Sequence, residues 1–189
     1  MNRRAISLVG MVGLALAVSG GWVQAATECN GPPVSGTFPD GVVVNNGDFC
    51  FLTGANVSNG VRVNAGGILI TCGSTINGGI RANGALNLLI GAGADEEVPP
   101  VNFPCPGNLI NGGIQFSNTG PGVLVGPPSI SLERNMIHGS VHLSGNQGPI
   151  VVANDRISGG LFCAGNAFDL DDEGTSSVIT GAVRCKFGQ

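Results

Sequence analysis

A seven-residue phrase recurs six times along this chain. It reads apolar, polar, Gly or Asn, small, apolar, any, apolar, and a repeat of this kind constrains the fold before anything else does. The copies are VSNGVRV at 57–63, INGGIRA at 76–82, INGGIQF at 110–116, IHGSVHL at 137–143, ISGGLFC at 157–163 and ITGAVRC at 179–185. The steps between lead residues are 19, 34, 27, 20 and 22, which reads as a rung of about 20 residues with insertions in some turns. Second apolar runs lie outside the phrase at 42–44, 68–70, 86–90, 123–125 and 150–152, and short apolar runs between turn residues read as strands. A βαβ unit needs 30 residues or more, so the period is too short for helical crossovers. The spacing fits an all-β parallel solenoid of roughly seven rungs, in which like positions stack about 4.8 Å apart into ladders. The competing architecture is a β-sandwich with the copies divided between two facing antiparallel layers.

Composition agrees with a turn-rich β protein. With 33 Gly and 11 Pro a helical bundle is excluded, since each Gly costs a helix about 1 kcal/mol and each Pro about 3. Hydrophobic residues make up 42% and charged residues 11%, the opposite of a disordered chain. Asn64, Asn83, Gly84, Asn118, Gly145, Asn146, Gly165 and Asn166 follow the phrase directly, where a tight corner calls for residues that tolerate positive φ.

Residues 1–25 read as a signal peptide: Arg3 and Arg4, then an apolar stretch over 6–18, then Val23, Gln24 and Ala25 as a small-residue cleavage site. The 13-residue apolar stretch falls short of the roughly 20 needed to span a bilayer, and no longer uninterrupted run follows. The mature domain, 26–189, is thus expected to be secreted or periplasmic, without a membrane span. Losing Arg3 and Arg4 leaves 6 cations against 12 acids, a poor match for nucleic acid. An insertion at 94–107, with Asp95, Glu96, Glu97 and four prolines, reads as an excursion loop.

Six cysteines in an exported chain point to disulfides. Cys163 and Cys185 hold the same position in consecutive copies, about 5 Å apart if the copies stack, within disulfide range. Cys29 with Cys50 would close the first coil and Cys72 with Cys105 would tether the insertion, two pairings among fifteen possible connectivities. His138 and His142, four apart, would share one outward face of a regular strand, but a metal site wants a third ligand. The row through His142 comprises Arg62, Arg81, Gln115, His142, Phe162 and Arg184, a mildly basic stripe suited to an anionic glycan or to plain solvent exposure. Asp169, Asp171, Asp172 and Glu173 could offer oxygens to Ca²⁺ but match no complete loop signature, and a solvated acidic turn explains them equally. No cofactor is expected.

The Ile-x-Gly-Gly-Ile units, the stretch from Gly159 to Asn166 and the late Cys185 resemble a group of exported bacterial right-handed parallel β-helix proteins, whose rungs end in a Cys on each of the last two coils. The resemblance covers 42–189 and implies a right-handed, single-stranded β-helix while implying little about activity. The acidic insertion and the 169–173 loop depart from that regular pattern. More distantly the rungs resemble those of bactofilins, which polymerise, and the architecture resembles that of pectate-lyase-like enzymes. A polysaccharide lyase or hydrolase would need two facing carboxylates. The phrase carries no Asp or Glu in its outward rows, and Asp155 stands alone, with Ala55, Ser74, Asn108, Asn135 and Ser177 as its counterparts. Without Trp or Tyr in the mature chain, no aromatic sugar platform of the usual kind is available. An ice-binding array would need a regular row, and Ser58, Asn77, Asn111, His138, Ser158, Thr180 is irregular. The sequence therefore favours no catalytic residues and a structural, surface or interaction role, with a polysaccharide or another surface protein as partner.

Overall fold

A computed structural model describes residues 25–91, 105–121 and 129–188. The leader up to residue 24, the 94–104 part of the acidic insertion and the apolar run at 123–125 lie outside the described residues. Twenty strands and no helix occur among the described residues. All of them pair in parallel, as the ladder reading of the repeat requires and a sandwich of antiparallel layers does not. They form an eight-stranded sheet and a twelve-stranded sheet.

The repeated phrase is a corner, not one strand. Its lead residue ends a strand of the twelve-stranded sheet, as in Met136–Ile137, or stands one residue before that end, and its last three residues open a strand of the eight-stranded sheet, as in Val141–Ser144. The Gly pair between them makes the bend. Lead residues stack in register, Val57 on Ile76, Ile76 on Ile110, Ile110 on Ile137 and Ile137 on Ile157, each at most 1% exposed. After the bend Val61, Ile80, Ile114, Val141 and Leu161 form the facing stack. Burying each such aliphatic side chain contributes about 1.5–3 kcal/mol, and the stacks together make one continuous core.

Register also reveals a seventh copy. Phe38 pairs with Val57 and Val42 with Val61, so 38–44 is a rung corner whose middle reads Pro39, Asp40, Gly41. The run at 42–44 therefore belongs with the phrase and not with the second apolar runs. The other described runs build the twelve-stranded sheet. Its strand Phe49–Val57 passes through both halves, pairing with Ile68–Cys72 early and with Thr75–Asn77 late. In the half containing Ile68–Cys72 and Asn87–Ile90 both faces are buried: Leu52, Leu69 and Leu88 join the main core, while Phe51, Ile70 and Leu89 form a second cluster with Cys72 and Cys105. Strands covered on both faces read as unbroken apolar runs, which is why these were visible in the sequence.

Three disulfides close: Cys29–Cys50, Cys72–Cys105 and Cys163–Cys185, with Cα separations of 5.3, 5.0 and 4.9 Å. Two of them tie together the coils at either end. Positive φ occurs at Gly84, Asn118, Gly145 and Gly165, the corner after the phrase, while Asn64 hands that role to Gly66.

Candidate functional site

The eight-stranded sheet presents its outward residues as a single row that begins with Glu28 and Val43, Val43 pairing with Arg62. Arg62 pairs with Arg81, Arg81 with Gln115, Gln115 with His142, His142 with Phe162 and Phe162 with Arg184. From Arg62 onward all are exposed except the half-buried Phe162. The His142 ring stacks on Phe162 at 4.8 Å between centroids and 22° between planes, and the Arg184 guanidinium carbon lies 5.9 Å from the Phe162 centroid. The Phe162 ring passes over Gly160, where a Cβ would fall 2.5 Å from Cζ. Asn64, Asn83 and Ser117 flank the row, and with Arg62, Arg81 and Gln115 they line an open depression. Asn118 and Ser117 both donate to Asn83 Oδ1, at 2.9 and 3.3 Å, so this flank is held by its own side-chain bonds.

His138 is not part of that surface. The bend at Gly139 and Ser140 sets it on the twelve-stranded sheet, at 2.9 Å from Asn111 Oδ1 through Nδ1, whereas His142 belongs to the eight-stranded sheet. The expectation that the two histidines share one face fails because the phrase is a corner. Asn111 in turn donates to Asn77 at 2.8 Å, so members of the Ser58-to-Thr180 row bond to one another along the stack.

Asp155 sits in the interior. Its column is a buried polar ladder: Ser74 N–H donates to Asn108 Oδ1, Asn108 N–H to Asn135 Oδ1, Asn135 N–H to Asp155 Oδ1 and Asp155 N–H to Ser177 Oγ, at 2.7–3.0 Å. The amides close the ladder sideways, Asn108 Nδ2 donating to the Thr71 carbonyl and Asn135 Nδ2 to the Ile90 carbonyl. Asp155 cannot do the same. Its Oδ2 has no hydrogen-bond partner among the described residues, and the side chain is 1% exposed. Burial pushes its pKa up to about 7, with nearby Glu133 acting in the same direction and outweighing in sum the bonds donated by Asn135. A carboxyl walled into a strand ladder has no access to a substrate, so its perturbation is structural. The column itself is visible in the sequence, while the ladder that joins it is not. The available signal was its place two residues before each lead residue, which strand alternation turns inward. Asn146 and Asn166 make a second such ladder, joined at 3.1 Å through Asn146 N–H and at 2.9 Å through its Nδ2.

The acidic turn uses its oxygens on itself. Glu173 N–H donates to Asp171 Oδ1 and Gly174 N–H to Asp172 Oδ1, while Ser176 Oγ donates to Asp172 Oδ2. Among the described residues no three His, Cys, Asp or Glu side chains converge as a metal site. Adding Ca²⁺ or a chelator is therefore expected to leave the midpoint of thermal unfolding unchanged, as scanning calorimetry would show; a rise in midpoint with Ca²⁺ that Asp172→Asn abolishes would contradict this.

No protein-family model, no curated protein and no solved structure matches this chain.

Proposed function

We propose that this is a non-catalytic, exported, right-handed parallel β-helix of about 20 residues per rung, acting as a structural, surface or interaction module. The observation that carries the non-catalytic reading is the fate of Asp155. The one acid standing directly before a repeat copy lies inside a hydrogen-bonded ladder, and the exposed row from Arg62 to Arg184 contains no carboxylate to pair with it. A glycosidase-type reaction needs two carboxyl groups facing one another across a sugar.

Parallel pairing of residues one rung apart supports a coiled path, and the right-handed sense follows the general preference for right-handed crossovers between parallel strands. The resemblance of the rungs to exported bacterial β-helix proteins points the same way. Export is supported by the basic and apolar leader at 1–25 and by three disulfides, which persist in oxidising compartments. Among the described residues no helix is long and apolar enough to cross a membrane.

The test is a panel of acidic and neutral polysaccharides incubated with the disulfide-intact protein and assayed for shortened or unsaturated products. No product is expected from any of them. Turnover that survives purification and disappears on Asp155→Asn, with the fold retained, would overturn the non-catalytic reading. Labelling the denatured but unreduced protein for thiols should find none of the six cysteines free.

A further inference from the structure

Three of the six cations beyond the leader stand in one row of an acidic chain: Arg62, Arg81 and Arg184. The row carries no acid between Arg62 and Arg184; beyond Arg62 it continues through Val43 to Glu28, and Asp40 stands at that end of the same depression. Among the described residues, Arg62 and Arg81 make no ion pair, and the depression between them is open and flanked by Asn64 and Asn83, whose amides can hydrogen-bond hydroxyls. Gln115 offers a further amide at mid-row. Beyond it, His142, Phe162 and Arg184 form a continuous stack, the Phe162 ring passing over Gly160.

We infer that this row binds an extended acidic polysaccharide, a polyuronate, laid across the strands along the stacking axis. The inference rests on the non-catalytic reading and names the partner of that same surface. Neighbouring rungs stand about 4.8 Å apart, so guanidinium groups on consecutive rungs recur at nearly the advance of one sugar unit. Arg62 and Arg81 would then each meet a carboxylate, for which the planar guanidinium fork is the best-suited side chain. The amides of Asn64, Asn83 and Gln115 suit ring hydroxyls, and the His142–Phe162–Arg184 stack adds an apolar edge beyond them. A duplex nucleic acid fits less well: three arginines in single file match one strand of charge, and the chain as a whole carries net charge −4.

Affinity electrophoresis of the disulfide-intact protein through gels containing polygalacturonate, dextran or single-stranded DNA tests this, with product release monitored in parallel. Retardation is expected in polygalacturonate alone, weakening with added salt. The double substitution Arg62→Ala/Arg81→Ala should weaken it by about tenfold or more, and Phe162→Ala should weaken it less. Both changes alter exposed or half-buried side chains, and an unchanged circular dichroism spectrum confirms the fold. Absence of retardation, equal retardation in dextran, stronger retardation in DNA, or retardation indifferent to the double substitution would each overturn the inference. Product release would instead overturn the non-catalytic reading while leaving binding intact, so the two failures are distinguishable.

Discussion

Replacing Asp155 with Asn is expected to stabilise the protein above pH 7 and to remove a pH dependence that the parent chain shows. In the native chain Asp155 Oδ1 accepts the Asn135 N–H at 2.7 Å and Nδ2 at 3.0 Å, leaving Oδ2 without a partner among the described residues. Thr71, Ile90 and Leu132 share one column by register, and the amides of Asn108 and Asn135 donate to the first two carbonyls. By the same rule an Asn at 155 directs its Nδ2 toward the Leu132 carbonyl, continuing the ladder with a donor where the carboxylate has none.

The pH effect follows from the raised pKa. Below about pH 4 both folded and unfolded chains hold the proton, and this site contributes no pH dependence. Between about 4 and 7 the unfolded carboxyl releases its proton while the folded one keeps it, so stability falls as pH rises, by up to about 4 kcal/mol for a shift from 3.8 to about 7. Above 7 both are ionised and the loss is complete. Denaturant unfolding at pH 4, 6 and 8 with disulfides intact should show this decline in the difference between the parent and Asp155→Asn. Asp155→Ala should instead lose stability at every pH, because the buried Asn135 N–H is left without an acceptor, at about 1–3 kcal/mol, and Asn135 Nδ2 keeps only its bond to the Ile90 carbonyl. A parent minus Asn difference that is flat from pH 4 to 8 would show that Asp155 is not a ladder carboxyl of this kind.

The interior ladder and the exposed row differ in how far the sequence disclosed them. The row was legible because its spacing follows the phrase: Arg62, Arg81 and Gln115 keep one offset from the lead residue, and parallel pairing preserves that offset across insertions of any length. Cys163 and Cys185 were legible for the same reason. The corner was not, because an isolated Ile-x-Gly-Gly-Ile segment alternates apolar and polar residues as a strand would, and only the partners of Ile76 and Ile80 in different sheets disclose the bend. The seventh copy at 38–44 was hidden by chemistry at its bend: Pro39 and Asp40 stand where other copies carry polar and Gly residues, although Phe38 precedes Val57 by the same step of 19 that separates Val57 from Ile76. The burial of Asp155 is not legible from a lone acid before one copy, because the partners that burial demands come from ladder members on neighbouring rungs.

That the corners are built to stack backbone on backbone makes Gly79 the most sensitive position in the phrase. It has φ of +80°, and a Cβ there would fall on the Gly113 carbonyl oxygen of the next rung. The same carbonyl accepts the Ile80 N–H at 3.1 Å, and the Gly79 carbonyl accepts the Val61 N–H at 3.0 Å, so the bend cannot shift away without breaking ladder bonds on both sides. Gly165 provides the control: its φ is +62° but nothing lies within 4 Å of where its Cβ would be. Gly165→Ala should therefore cost only the left-handed strain, about 1–2 kcal/mol. Gly79→Ala adds a backbone overlap to that strain and should cost roughly 3–5 kcal/mol, near the upper end for single substitutions. In a domain of this size that corresponds to a fall in midpoint of about 10 °C, against a few degrees for Gly165→Ala. Equal losses at the two positions would mean that left-handed strain alone matters and that neighbouring corners do not bear on each other, which would undo the stacked-corner description of the fold.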